Sequence, residues 1–324
     1  MPQARVLPRT AVICAVIGLT GLAACRGPAS DAPLPDETAP GAALETTSLL
    51  GEPLYPTEPP AEASARMLEQ LAEARTSYLQ APDDADAIIW LGRRTAYLGR
   101  YREAIDIYTD GIRTHPEDAR LYRHRGHRYI SVREFDNAIA DLERAATLVA
   151  GQPDQVEPDG QPNARGIPTS TLHSNIHYHL ALARYLKADY AGAADAWARA
   201  RAAVDNPDNL VAASHWLYLS LRRAGLDGAE AVLEPIAADL DVIENASYHQ
   251  LLLMYKGART PKDLLDAAGE GASASALLYG VSVWYLLEGR TTEAAALWKR
   301  LVAQPDWPSF GHIAAEAELA RRVR

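Results

Sequence analysis

Cysteine is nearly absent: the 324-residue chain holds two, Cys14 and Cys25. Beyond residue 25 the chain therefore has no disulfide, no cysteine nucleophile and no thiolate for a metal. Phenylalanine is equally scarce, at 2 against Tyr 15 and Trp 6, and only four of the 32 basic residues are lysine. Positive charge is outweighed, with 42 Asp+Glu and a formal net of -10, which argues against the basic surface that general nucleic-acid binding requires. The most apolar stretch, Ala11 to Ala24, is 14 residues long, short of the about 20 that a membrane-spanning helix needs. Catalytic signatures are missing too. There is no Gly-rich loop ending in Lys-Ser or Lys-Thr and no His-Glu-x-x-His. Gly280-Val281-Ser282-Val283-Trp284 lacks the second Gly of a nucleophile elbow, and Asp83-Asp84-Ala85-Asp86 lacks the spacing of a calcium loop. What the chain does have is 48% hydrophobic residues, ample for a folded core.

The N-terminus reads as an address. Arg5 and Arg9 precede the apolar stretch, as in a secretory signal, and the stretch ends in Leu22-Ala23-Ala24-Cys25. Those four residues resemble the lipobox of bacterial lipoproteins. The resemblance implies a signal peptide over 1–24, cleavage before Cys25 and lipidation of its thiol. The next residue is Arg26 rather than Asp, which in Gram-negative lipoproteins implies the outer membrane, facing the periplasm. Residues 25–60 are expected to be a disordered tether. From 26 on they hold eight prolines, six acids and one Arg, with no apolar periodicity.

A repeat follows. Tyr101-Arg102-Glu103-Ala104-Ile105 and Phe135-Asp136-Asn137-Ala138-Ile139 share a pattern, and Ala104 and Ala138 lie 34 residues apart, the tetratricopeptide (TPR) period. Repeats over 85–118 and 119–152 then place Leu91, Gly92, Gly99, Tyr101, Ala104, Tyr108 and Pro116, and Tyr122, Gly126, Tyr129, Phe135, Ala138 and Leu142, where the TPR pattern wants them. Arg125, Arg133 and Ala150 depart from it. The small residues are expected where two helices cross closely, and the aromatics between repeats. The chain is thus identified as all-α, a TPR α-solenoid of antiparallel helix pairs. Residues 61–152 hold a leading helix (61–80) and two repeats, 153–170 an inserted loop, and 171–208 a third repeat. Residues 209–324 hold degenerate pairs (209–224 with 227–239, 246–256 with 261–268, 275–288 with 291–303) and a helix over 311–322 whose arginines suit a solvated cap. Pro235 is expected to kink or restart its helix. The blocks Leu121–His127, Ser214–Tyr218 and Phe310–Ala317 resemble a group of bacterial TPR lipoproteins, a likeness that implies a fold and no particular activity.

Arg120, Arg123, His124 and His127 recur at i, i+3, i+4 and i+7, one stripe of a helix, with Tyr122, Gly126 and Tyr129 opposite. In TPR arrays the first helices line a concave groove, and the equivalent groove positions include Arg93, Asn175, Tyr178 and His179. Guanidinium forks in that groove suit carboxylate or phosphate. The location resembles the carboxylate clamp of peptide-binding TPR domains, although the clamp's Lys and Asn pattern is not reproduced. The plainer alternative is a solvated face whose arginines pair with acids of the next repeat. His173 and His177 share a helix face as a metal pair would, but His179 points away from both, so packed or surface histidines are the favoured reading. The expected function is a non-enzymatic scaffold without cofactor or metal. It would be held to the membrane by its lipid and would bind a protein or acidic peptide in the groove. The alternatives are a structural scaffold using its convex face or edges and, less favoured, a histidine-based metal-dependent enzyme.

Overall fold

The computed structural model describes residues 43–57 and 59–323. The expected signal peptide, Cys25 and the first part of the tether lie outside the described residues. From 43 onward the segment expected as tether is folded. A hairpin of β1 (Thr46–Thr47) and β2 (Pro53–Leu54) packs on the helical array. Polar contacts hold it: Arg102 donates to the Glu45 carboxylate and carbonyl, at 2.8 Å each, and Thr46 Oγ1 donates to Val132 O at 2.8 Å. Proline-rich composition concealed this because the anchors are side-chain bonds to distant helices rather than a local apolar pattern.

Fourteen helices follow among the described residues. α1 (Ala61–Gln80) leads into the pairs α2 (Ala85–Tyr97) with α3 (Tyr101–Thr114), α4 (Ala119–Ser131) with α5 (Phe135–Leu148), and α6 (Leu172–Leu186) with α7 (Tyr190–Ala203). α8 (Pro207–Ala224) with α9 (Ala229–Leu233), α10 (Ala246–Tyr255) with α11 (Pro261–Ala267), and α12 (Gly271–Leu287) with α13 (Thr291–Val302) continue the array, and α14 (Phe310–Val323) ends it. The helices stack in sequence as an α-solenoid of antiparallel pairs. None of those described is long and apolar enough to cross a membrane.

Local chemistry sets the pair boundaries. Asp84 and Asp118, 34 residues apart, each cap a first helix by accepting the backbone N–H two residues on. Thr171 with Ser174, and Thr260 with Asp263, form capping boxes. The turn inside a pair needs a left-handed residue. It is Gly99 (φ 77°) and Gly289 (φ 76°), but Arg133 (φ 66°) and Ala188 (φ 65°) take the same place in their repeats. α9 is much shorter than the expected 227–239. Pro235 lacks an N–H and its ring disfavours the preceding helical turn, so the helix stops rather than restarts.

Packing follows the repeat. A Cβ at Gly126 would lie 2.8 Å from Leu142, and one at Gly92 would lie 2.4 Å from the Tyr108 ring, so only glycine lets these helices meet. In the middle of the array Trp197 of α7 stacks on Trp216 of α8, with ring centroids 5.9 Å apart. Tyr185 and Tyr279 lie edge-on and stacked against Trp216, at 5.2 and 5.6 Å. Each such side chain, fully buried, contributes roughly 1.5–3 kcal/mol.

The last helix departs most from expectation. α14 is not a solvated cap. It runs inside the array against α6, α12 and α13, with Ile313, Ala314, Ala315, Glu316, Ala317 and Glu318 all buried. Its charged end is used as well: Arg321 donates to Leu186 O at 2.9 Å and Arg322 lies over the Trp298 ring.

Candidate functional site

The inner wall is formed by the first helices of successive pairs, and two different parts of the chain cover it. Arg93, on α2, lies over Trp90 at 4.4 Å, and its two other nitrogens share the Tyr97 hydroxyl at 3.2 and 3.3 Å. Its Nη1 donates to the Pro158 carbonyl at 2.8 Å. The neighbouring Arg94 donates to the Gly160 carbonyl at 2.8 Å and to Gln70. On α4, Arg123 reaches the Glu157 carboxylate at 2.9 Å and donates to His124 Nδ1 at 3.0 Å. Asn175, on α6, donates to the other Glu157 oxygen at 3.2 Å. Four helical side chains from three pairs thus grip residues 157–160 of the inserted loop, by one carboxylate and two carbonyls.

A small polar cavity of about 150 Å³ remains between loop and wall, lined by Arg93, Arg123, Glu157, Pro158, Asn175 and Glu244 among others. Burial makes the Arg123 guanidinium easier to deprotonate than usual, and Glu157 opposes that shift. Burial and the nearby arginine charges also hold His124 and His179 well below the ordinary imidazole range, so both are neutral near pH 7. His179 Nδ1 faces the Asn175 carbonyl at 2.7 Å and so carries its proton there.

Farther along, the wall meets α14. Phe310 lies 5.6 Å from the ring of His127 and 5.9 Å from that of His179, which are themselves 4.1 Å apart. His127 is held low chiefly by burial and then by Arg128. Beyond it, Arg223 of α8 pairs with Glu318 at 2.7 Å, and Arg133 pairs with Glu316 at 2.7 Å while lying over Trp307.

The expected groove residues are not left free, and they do not all share one surface. Arg93, Arg123, His124 and Asn175 do come together, but under the loop, and His127 and His179 sit under Phe310. Tyr178 turns into the aromatic core, 4.6 Å edge-on to Trp197, and burial raises its hydroxyl pKa well above the usual range. Arg120 leaves the cluster for the rim, where it pairs with Asp118 at 2.6 Å and with Asp86. α14, through Phe310, and the loop, through Glu157, thus cover the wall. His173 lies 4.0 Å from Asp154, and among the described residues no group of three or more His, Cys, Asp or Glu is placed to hold a metal ion.

Reasoning from the sequence missed Arg94, Glu157, Gly160, Phe310, Glu316 and Glu318. One signal was available: Glu316 and Glu318 interrupt the apolar run Ile313-Ala314-Ala315 in an otherwise core-like helix, and buried acids demand partners. The arginines that break the repeat pattern are such partners. Arg133 answers Glu316, and Arg125 makes a forked pair with Asp141, at 2.7 Å for each bond.

No protein-family model and no curated protein matches the chain. Among solved structures it is similar to YrrB, a TPR protein with an unusual peptide-binding site, with a TM-score of 0.41 and 14% identity over 77% of this chain and 97% of that one. It is also similar to Naa15/Naa10 bound to HypK-THB (TM-score 0.34, 18% identity, 76% of this chain and 36% of that one). A third is the APC/C hetero-tetramer Cut9-Hcn1 (TM-score 0.33, 13% identity, 81% and 63%). At this degree of overlap none of them bears on what the present chain binds.

Proposed function

We propose that this chain is a non-enzymatic scaffold that binds a protein or peptide partner through an extended acidic segment. It would be anchored by lipid on Cys25 to the outer membrane and face the periplasm. The observation that carries the reading is the Arg93–Arg94–Arg123–Asn175 grip. These side chains already recognise a carboxylate and two backbone carbonyls, which is peptide recognition rather than catalysis. The leader and lipobox support the location.

The test is photo-crosslinking in intact cells from positions on the wall beside Arg94, followed by identification of what is captured. The reading expects one partner, crosslinked through an acidic stretch, whose recovery falls at least tenfold with Arg94→Glu. Capture insensitive to that reversal would overturn it. Cys25→Ser should abolish lipid labelling and release the protein from membranes; unchanged labelling would remove the anchor.

A second reading has an observation of its own. Away from the covered wall, Leu68 and Leu79 of α1 are large apolar side chains exposed at 44% and 63%. A scaffold that used its convex face or edges would capture partners regardless of any change at Arg94.

A further inference from the structure

The loop that covers the wall is bound like a ligand, not built like a core element. Of residues 151–170 only Gly160 is buried, and the two large apolar side chains, Val156 and Ile167, are 58% and 45% exposed. Elsewhere the loop is held by polar contacts open to water. Arg165 pairs with Asp241 at 2.8 Å with both side chains about half or more exposed, Thr169 and Asn163 bond Glu244, and Val156 makes an isolated bridge to Thr171. Solvent screens such contacts, so lifting the loop removes little apolar surface from the core.

At the wall the fit is specific. Glu157 is shared between donors on two helices, and the carbonyls of Pro158 and Gly160 are taken by consecutive arginines. A Cβ at Gly160 would stand 2.1 Å from the Tyr97 hydroxyl, so the wall reads backbone there. The occupant also leaves the site incompletely used. Arg123 is buried and lines the residual cavity, yet its Nε has no hydrogen-bond partner.

Resting on the binding reading above, we propose that residues 153–170 are an internal competitor. The segment Glu157-Pro158-Asp159-Gly160 occupies the site of the partner's extended acidic peptide and must leave before that peptide enters. The partner segment carries a carboxylate for Arg123 and Asn175, and beside it a backbone carbonyl for each of Arg93 and Arg94. Because only the open fraction of molecules can bind, the loop lowers apparent affinity by that fraction.

The probe is a fluorescein-labelled peptide with the sequence of residues 154–161 (DQVEPDGQ), followed by anisotropy against the detergent-solubilised full-length protein. Glu157→Ala should bind it at least tenfold more tightly than wild type. Arg123→Gln in the Glu157→Ala background should lose that binding, and a peptide with Ala in place of its Glu should fail on every variant. Equal affinity for wild type and Glu157→Ala, or equal binding of the Ala peptide, overturns the proposal. Thermal melts establish that the variants fold. A second measurement uses wild type alone: saturating peptide should speed hydrogen exchange of the Glu157 and Leu172 amides, which bond to Ser170 O and Gln155 O. Unchanged exchange overturns the proposal as well. If cells yield an acidic partner through the wall while these peptide results are negative, the competitor fails and the binding reading stands. If the peptide behaves as expected and cells yield no partner, the loop is a displaceable occupant of the wall, and the binding reading, with the competitor role that rests on it, fails.

Discussion

Two parts of the chain cover the same inner wall, and they do so by opposite means. α14 brings apolar residues and two acids that are almost wholly buried; the side chains of Arg133 and Glu316 are 3% and 1% exposed. The loop over 153–170 brings polar contacts and one carboxylate, with its apolar side chains outside. The first covering is part of the core and the second rests on it. Equal proximity to a wall therefore says little about permanence; desolvation decides it.

Breaking the first covering should have the largest effect. Glu316→Ala strands the Arg133 guanidinium in a dry site and should cost about 3–5 kcal/mol in urea unfolding; a loss near that of the loop substitution below would erase the contrast. Gly311→Ala should come next. The added Cβ would lie 2.3 Å from the Ser275 carbonyl, backbone that cannot swing aside, and overpacking of this kind costs about 1–3 kcal/mol. A melting temperature unchanged by Gly311→Ala would contradict the close seating of α14.

Acid should act on α14 and on the core of the array. Burial lowers His312 on α14 to about 4 and His215 on α8 to about 3. In the unfolded chain both titrate near about 6.5, so there the unfolded state takes up more protons than the native one. Stability is therefore full above that value and falls as pH drops from about 6.5 toward 4. Melting curves across this range should be flatter for His312→Gln than for wild type. Parallel curves would show that the residue does not titrate with unfolding. The smallest effect is expected at the loop. Glu157→Ala removes one partner of a pair whose side chains are only 8% and 11% exposed, but the segment can lift and let water reach Arg123, so it should cost about 1–3 kcal/mol. A loss as large as that of Glu316→Ala would make the loop a structural element.

The regular part of this fold was legible because its determinants are local. The 34-residue period and small residues such as Gly126 each act within one or two helices. What escaped was long-range. Arg133 stood out only as a residue in a glycine's place, and its reason, Glu316, lies 183 positions away. The stripe of Arg123, His124 and His127 was visible as a stripe. That Glu157 and Phe310 would lie on it was not, because no periodicity announces which loop or helix folds back. Arg120 belongs to the same stripe yet serves the rim, since Asp86 and Asp118 compete for it.

The Glu316 carboxylate also accepts the backbone N–H of Leu49 from the N-terminal hairpin, 267 positions away. Stacked hairpins ordinarily fold in neighbourly steps, each finished soon after it is made. Here the second helical pair holds a cation, Arg133, and the turn between β1 and β2 an amide, Leu49, that wait for the same carboxylate on α14. A chain cut short before residue 310 would leave both without that carboxylate, an unfastened clasp rather than a shorter solenoid.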